Sequence, residues 1–307
     1  MTVELADITA FFQQSNQVVC ETINLLGVDV VVVREDLNHP VVQGNKLRKL
    51  KHNFIEAQKQ QAKTVVTFGG AYSNHLIATA YAAHELGFDS VGIVRGDELD
   101  NNQATWSETL FQCQQLGMRL VFVSRTEYKL KETGSTAKDT RTGLSNSFVI
   151  PEGGSNLKAV KGVAELVAEL PPENKPSHLL CPVGTGGTLA GLIHGVGQQK
   201  LCCKVVGVAV LKGLHPVKKD IKQWLADDIV STDWQVSHDF HCGGYAKSTP
   251  ELASFSIAFS QKHNIPLDKI YNSKSFYALA QLIKNGAITT KDKPMIIHTG
   301  GLQGGVF

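Results

Sequence analysis

The residues of this chain that could do chemistry fall in four short segments, each joining an apolar run to a helical pattern. In Gln43-Gly-Asn-Lys46-Leu-Arg-Lys-Leu50, a lysine follows a Gly-Asn turn and opens a helix running toward Ala57. The positive end of the helix dipole and the neighbouring Arg48, Lys49 and Lys51 push an ammonium there toward its neutral form, the form that Schiff-base chemistry needs. Lys46 is thus a candidate nucleophile, although the same basic cluster also reads as a solvated helix face.

The segment Pro182-Val-Gly-Thr-Gly-Gly-Thr-Leu-Ala-Gly191 also leads from an apolar run into a helix, so its amides can cradle a phosphate. No Gly-Lys-Ser/Thr follows at the Walker A offset, and Leu189 stands sixth from Gly184, so the dinucleotide fingerprint fails as well. A nucleotide is disfavoured, and a close-packed strand-helix turn is the plainer alternative.

In Phe68-Gly-Gly-Ala-Tyr-Ser-Asn-His75, Ser73 or Asn74 can cap a helix. Exposed amides and two side-chain donors there also suit a substrate carboxylate. His75 and His84 lack zincin spacing and read as structural or surface residues, so no metal site is expected. The fourth segment, Pro294-Met-Ile-Ile-His-Thr-Gly-Gly301, ends a buried-looking strand at Thr299, whose hydroxyl can donate one neutral hydrogen bond. Two tyrosines stand in polar or Gly-rich settings, Tyr245 in Cys242-Gly-Gly-Tyr-Ala-Lys247 and Tyr271 in Leu267-Asp-Lys-Ile-Tyr-Asn-Ser-Lys274. A lone tyrosine is usually a packing residue with a wet hydroxyl.

The elements that must position these residues alternate. Short β-branched runs predict strands at Val30–Arg34, Thr64–Phe68, Ser90–Val94, Arg119–Val123, Phe148–Pro151, Leu179–Val183, Lys204–Val210 and Met295–His298. Helical patterns lie between them at Asn74–Leu86, Trp106–Leu116, Lys158–Leu170, Leu189–Gly195, Pro250–His263 and Ser273–Lys284. This rhythm predicts open, twisted, mostly parallel sheets flanked by helices, with Glu132–Asn146 a surface excursion.

The 307 residues, with 42% hydrophobic and 19% charged, suit a folded chain of two domains or one large α/β unit, and exclude disorder, collagen and coiled coil. A net charge of +2 without a basic run gives no footprint for nucleic acid. No stretch is long and apolar enough for a membrane span, and Glu4 and Asp7 oppose a signal peptide, so a cytoplasmic location is expected. Six cysteines without a C-x-x-C pair fit reduced thiols.

Taken in order, Gly-Asn-Lys46-Leu-Arg-Lys, Gly-Gly-Ala-Tyr-Ser-Asn-His75, Pro151-Glu-Gly-Gly-Ser-Asn156, Gly184-Thr-Gly-Gly-Thr188 and His298-Thr-Gly-Gly301 resemble the 1-aminocyclopropane-1-carboxylate deaminase / D-cysteine desulfhydrase family. The resemblance covers about residues 30 to 301. It implies a tryptophan synthase β-like α/β fold (pyridoxal-phosphate fold type II), with a large cofactor domain of residues 1–48 and 152–307 and a small domain of 49–151. It also implies pyridoxal 5'-phosphate as cofactor, a small amino acid as substrate and a homodimer. Lys46 would carry the cofactor, Gly184, Thr185, Gly186, Gly187 and Thr188 its phosphate, Asn74 would face its 3-oxygen and Thr299 its ring nitrogen. The turn Tyr72, Ser73, Asn74 and His75 would bind substrate, Ser73 its carboxylate, while Tyr245 and Tyr271 would line the reacting face.

Deaminases of this family carry a glutamate after the second tyrosine and a leucine at the threonine position. This chain has Asn272 and Thr299. A threonine hydroxyl cannot supply the charge that holds a ring nitrogen protonated, which opening a cyclopropane needs more than expelling a thiolate does. The expected reaction is therefore β-elimination from D-cysteine to pyruvate, sulfide and ammonia. The alternatives are the deaminase, another pyridoxal-phosphate lyase, dehydratase or racemase, and a cofactor-binding or amino-acid-sensing protein. Two departures bear on the substrate pocket: Tyr72 replaces a common glutamine, and Asn272-Ser273 the more usual Thr-Gly.

Overall fold

The computed structural model describes residues 4–13, 18–225 and 232–307. In chain order the strands are β1 (Cys20–Leu25), β2 (Val28–Val33), β3 (Thr64–Gly70), β4 (Asp89–Arg95), β5 (Arg119–Val123), β6 (Ser147–Val149), β7 (His178–Val183), β8 (Lys204–Ala209), β9 (Trp234–Ser237) and β10 (Pro294–Ile297). The helices are α1 (Leu5–Phe12), α2 (Asn45–Lys59), α3 (Asn74–Glu85), α4 (Glu108–Gln115), α5 (Arg125–Lys129), α6 (Ser135–Thr142), α7 (Leu157–Glu169), α8 (Gly187–Gln198), α9 (Val217–Trp224), α10 (Pro250–His263) and α11 (Asn272–Lys284).

The chain divides into two compact units, the first made of Met1–Gln14, Pro40–Val42 and Lys46–Ala159, the second of Ser15–His39, Gln43–Asn45 and Val160–Phe307. These bounds differ from the expected ones. Ile8, Phe11 and Phe12, the apolar face of α1, pack with Phe54, Phe88 and Phe148 in the first unit, whereas the expectation gave residues 1–48 to the large domain. The later seam, at Ala159/Val160, falls inside α7 rather than at 151/152.

The first unit holds a parallel four-stranded sheet, ordered β5-β4-β3-β6. Its strand β3 is buried from Thr64 to Gly69, as expected of a parallel strand covered on both faces. A Cβ on Gly69 would come within 2.5 Å of Leu76 Cγ, so the close turn from β3 into α3 needs glycine there.

The second unit holds a six-stranded sheet, ordered β1-β2-β10-β7-β8-β9 and parallel except for β1. Residues Leu26 and Gly27, at φ 52° and 86°, make the two-residue turn of the β1-β2 hairpin. Two apolar cores line this unit: α7, α8 and α9 contribute Val163, Leu189 and Ile221 to one, while α10 and α11 contribute Phe259 and Phe276 to the other. The result is an α/β fold of parallel sheets flanked by helices.

The set of elements is wider than the sequence pattern predicts. Strands β1 and β9 and helices α1, α5, α6 and α9 appear beyond the predicted set, with α6 inside the expected surface excursion. All six cysteines are free, and burial pushes the thiols of Cys113, Cys181 and Cys203 up to about 12, which makes them core residues. Among the described residues, no helix is long and apolar enough to cross a membrane.

Candidate active site

In the second unit β7 and β10 are parallel neighbours, and the chain leaves β7 toward β8 and β9 on the opposite side. Open α/β sheets bind ligands beyond the carboxyl ends of their strands at such a reversal of order. From β7 the chain enters Gly184–Thr188. Gly186 sits at φ +85°, and a Cβ there would fall 2.7 Å from Val217 Cγ2, so glycine is required where the chain turns into α8. The first amides of α8 have no acceptor within the helix and are free to meet an anion. A Cβ on Gly184 would come within 3.3 Å of Tyr271 Cε1, so this glycine lets the Tyr271 ring lie against the loop. Thr185 is exposed and Thr188 is buried.

Asn45 ties this loop to the end of β10. Its side-chain nitrogen donates to Thr188 Oγ1 at 2.7 Å, and its backbone N–H donates to the Thr299 carbonyl at 3.3 Å. Lys46 is the next residue in the chain. Gly44 is pressed against the same carbonyl, since a Cβ on it would stand 1.9 Å from Thr299 O.

Thr299 is itself held by Asn272, which is wholly buried. Asn272 Nδ2 donates to Asp268 Oδ1 at 2.6 Å and to the Gly300 carbonyl at 2.8 Å, which orients the amide. Its oxygen then accepts from Thr299 N at 2.9 Å and from Thr299 Oγ1 at 3.2 Å. The hydroxyl proton of Thr299 is therefore committed to Asn272, and the hydroxyl keeps its lone pairs for other partners. Asp268, 1% exposed, accepts from the amides of Ile270, Tyr271 and Asn272 as well, at 2.7–2.9 Å. This carboxylate fixes the entry to α11 and with it the backbone of Tyr271.

In the first unit the order reverses between β3 and β6, and the strand ends carry Gly70–Ser73 and Pro151–Asn156. Ser73 caps α3, its hydroxyl accepting from Leu76 N at 3.2 Å, so the capping reading holds. Ser107 Oγ donates to the Ala71 carbonyl and so fixes the turn. Asn74 opens α3, while Tyr72 is 62% exposed. Asn156 caps α7 through Ala159 N at 2.9 Å.

His75 is buried, and its hydrogen bonds settle its tautomer. Thr67 Oγ1 gives its proton to the Ile150 carbonyl at 2.7 Å, so it accepts from His75 Nε2, also at 2.7 Å. Nδ1 is left as a buried acceptor with no partner among the described residues. Burial first, then the charges of Lys46 and Lys49, hold this imidazole well below its ordinary range, against the pull of the Pro151 carbonyl.

Lys49, one turn after the half-buried Lys46, is 2% exposed and donates to Ser155 Oγ at 2.7 Å. Burial, then the charge of Lys46, pushes its amine well down. The basic run is thus not a solvated face throughout.

The structure brings Gly184 to Tyr271, and Asn45 to both Thr188 and Thr299, within one unit; it leaves Tyr72 and Tyr245 exposed. Sequence reasoning missed Asn45, Lys49, Ser155, Asp268 and Lys274. Asp268 had a signal, an acidic residue three positions before Tyr271 where loop meets helix.

These residues suit a phosphorylated pyridine cofactor: a glycine loop opening a helix for the phosphate, a threonine beyond the neighbouring strand, and a lysine next to the asparagine that ties the two. The chain belongs to the pyridoxal-phosphate dependent enzyme family, which it matches over residues 16–300. Within it, the chain is a member of the 1-aminocyclopropane-1-carboxylate deaminase / D-cysteine desulfhydrase group, as its relatives make plain. A provisionally named 1-aminocyclopropane-1-carboxylate deaminase of Pyrococcus abyssi (strain GE5 / Orsay) is 30% identical, with 91% of this chain and 86% of that protein covered. The bifunctional D-cysteine desulfhydrase/1-aminocyclopropane-1-carboxylate deaminase, mitochondrial, of Arabidopsis thaliana is 29% identical over 91% and 73%. The D-cysteine desulfhydrase of Serratia proteamaculans (strain 568) is 27% identical over 90% and 87%. The crystal structure of an ACC deaminase homologue superposes with a TM-score of 0.81 at 26% identity, covering 99% of this chain and 96% of the other.

Proposed function

We propose that this enzyme catalyses β-elimination on a small amino acid, with D-cysteine the substrate that the site supports best, yielding pyruvate, sulfide and ammonia. One observation carries the choice: position 272 is a neutral amide, buried and locked between Asp268 and Thr299. With its proton given to Asn272, the Thr299 hydroxyl can meet the ring nitrogen only as a neutral acceptor, and position 272 adds no carboxylate to it, which suits expulsion of a good leaving group better than opening of a cyclopropane.

When bound, pyridoxal phosphate supplies the electron sink for the pair freed at the substrate α-carbon. Lys46 would hold the cofactor, Gly184, Thr185, Gly186, Gly187 and Thr188 its phosphate, Asn74 its 3-oxygen and Thr299 its ring nitrogen. In this proposal the second unit is the cofactor domain and the first the smaller domain. Tyr72, Ser73, Asn74 and His75 bind the substrate, with Ser73 on its carboxylate. The Lys46 amine takes the α-proton. The bond between Cβ and sulfur breaks with its electron pair on sulfur, and Tyr271 or Tyr245 gives that sulfur a proton. The three-carbon remainder hydrolyses to pyruvate and ammonia.

The test is a visible absorption spectrum of the purified protein, then pyruvate and sulfide assays on the same sample with D-cysteine and L-cysteine. A cofactor band lost in Lys46→Ala, with both products formed by the parent, is the expected result. A band without either product overturns the substrate assignment, and full activity in Lys46→Ala overturns the role of the lysine. The bifunctional name of the Arabidopsis relative keeps a second reading open, and 2-oxobutyrate formed from 1-aminocyclopropane-1-carboxylate would establish it. We also propose a homodimer in the cytoplasm, which sedimentation and cell fractionation test.

A further inference from the structure

Tyr245 rides on an unusual loop. Of the five residues from Cys242 to Ala246, four have positive φ: Cys242 at 49°, Gly243 at 94°, Gly244 at 122° and Ala246 at 54°. Cys242 and Ala246 carry side chains, so their left-handed backbone is disfavoured, and such a loop persists only where its surroundings over-determine it.

A buried cation supplies that constraint. Lys274, in the first turn of α11, is 0% exposed, and its ammonium donates to the Gly244 carbonyl at 2.6 Å and to the Val210 carbonyl at 3.1 Å. Val210 follows β8, and its own N–H donates to the carbonyl of Val183, the last residue of β7, at 3.1 Å. One ammonium therefore ties the tyrosine loop to the carboxyl ends of β8 and of β7, from which the Gly184 loop departs. Among the described residues no carboxylate forms an ion pair with it.

A buried lysine without an ion-pair partner is unfavourable as packing, since an apolar chain of similar volume fills such a space without the cost of burying charge. Burial pushes the amine down, partly offset by Cys242 and Asp268, and the two carbonyls are its hydrogen-bond partners. The Gly244 carbonyl has a second donor, the Lys247 N–H at 3.2 Å, which holds the loop to itself and not to the sheet.

We propose that Lys274 is a positioning residue for Tyr245: its ammonium locks the Cys242–Ala246 loop in its left-handed conformation, so that the phenol is presented in one place to the leaving group. The role of the phenol rests on the function proposed above; the locking of the loop does not.

The experiment uses the holoenzyme, and compares the parent with Lys274→Met, Lys274→Gln, Tyr245→Phe and the Lys274→Met/Tyr245→Phe double variant. Amide hydrogen exchange is followed at Gly244 and Lys247, with the amides of α10 as internal reference. Lys274→Met is expected to speed exchange at the loop by roughly tenfold or more, with α10 unchanged. It is expected to lower kcat for D-cysteine roughly tenfold while KM moves less than about threefold. The double variant should be no slower than the slower single variant, because both changes act through one group. Lys274→Gln, whose shorter, uncharged amide keeps two N–H donors in place of three, should fall between, and it carries the test if the methionine variant does not fold. Unchanged loop exchange, or losses that multiply in the double variant, would overturn the proposal. If the parent makes no product from D-cysteine, the functional reading fails, and the exchange measurement still decides whether Lys274 locks the loop.

Discussion

The side-chain oxygen of Asn272 accepts hydrogen bonds from both the backbone N–H and the hydroxyl of Thr299, at 2.9 and 3.2 Å. The same amide gives its two protons to Asp268 and Gly300, so every hydrogen-bonding position on it is used. A residue that differs from the deaminase pattern is thus the hub of a buried network, and changing it alters fold and chemistry together.

Asn272→Leu should leave Asp268, the Gly300 carbonyl and the Thr299 amide short of partners, at a cost of about 2–4 kcal/mol. Denaturant unfolding of the holoenzyme measures it. The paired change Asn272→Glu with Thr299→Leu should shift the cofactor absorption, and at neutral pH it should also lower stability, because the new carboxylate meets Asp268. An unchanged spectrum would remove the reason for preferring the desulfhydrase.

Gly44→Ala combines a left-handed φ of +65° with a Cβ 1.9 Å from the Thr299 carbonyl. The turn that carries Asn45 must move, so we expect a loss of about 2–4 kcal/mol and weaker cofactor binding. Gly27→Ala has a similar φ of +86° with nothing within 4 Å, and should cost only about 1 kcal/mol. Equal effects of the two changes would mean that the Thr299 contact does not matter.

Stability of the apoprotein should rise with pH on the alkaline side because of Lys49. Burial and the nearby Lys46 hold its amine well below 10.5 in the folded chain, and unfolding restores the ordinary value. Between those two limits the unfolded chain binds a proton that the folded chain lacks, so stability climbs by at most about 1.4 kcal/mol per pH unit. His75, held well below 6.5, acts in the same sense lower down: stability falls as the pH drops beneath 6.5. Urea midpoints across the pH range should show both slopes, and Lys49→Met should flatten the upper one.

Ser73→Ala removes the cap on α3, which costs about 1 kcal/mol. Ser124→Ala removes an equivalent cap, on α5, through Glu127 N at 3.2 Å, and should cost about the same. Only Ser73→Ala should also raise KM, by roughly tenfold, if its hydroxyl meets the substrate carboxylate. Equal KM values for the two variants would leave Ser73 as a cap alone.

Much of this protein was legible before folding. The alternation of β-branched runs and amphipathic segments is local, so the βα rhythm and the bounds Pro250–His263 of α10 followed from period and capping. The Gly184–Thr188 segment and Lys46 stood out as candidates because phosphate binding and Schiff-base chemistry each need particular residue types at close spacing. Strands β1 and β9 did not stand out: one depends on an unremarkable Leu26-Gly27 turn, the other is a four-residue strand paired with β8. Burial and long-range pairing were equally out of reach. Four lysines and arginines within Lys46–Lys51 look alike in sequence, yet packing buries Lys49 against Ser155, 106 positions away. Asn272 and Thr299 lie 27 positions apart, and only the ordering of strands at the sheet reversal brings them together. Local periodicity chose the elements and the chemistry; which polar groups lose water, and which partners replace it, was decided by the tertiary structure, because desolvation depends on everything packed around a group and not on its neighbours in the chain.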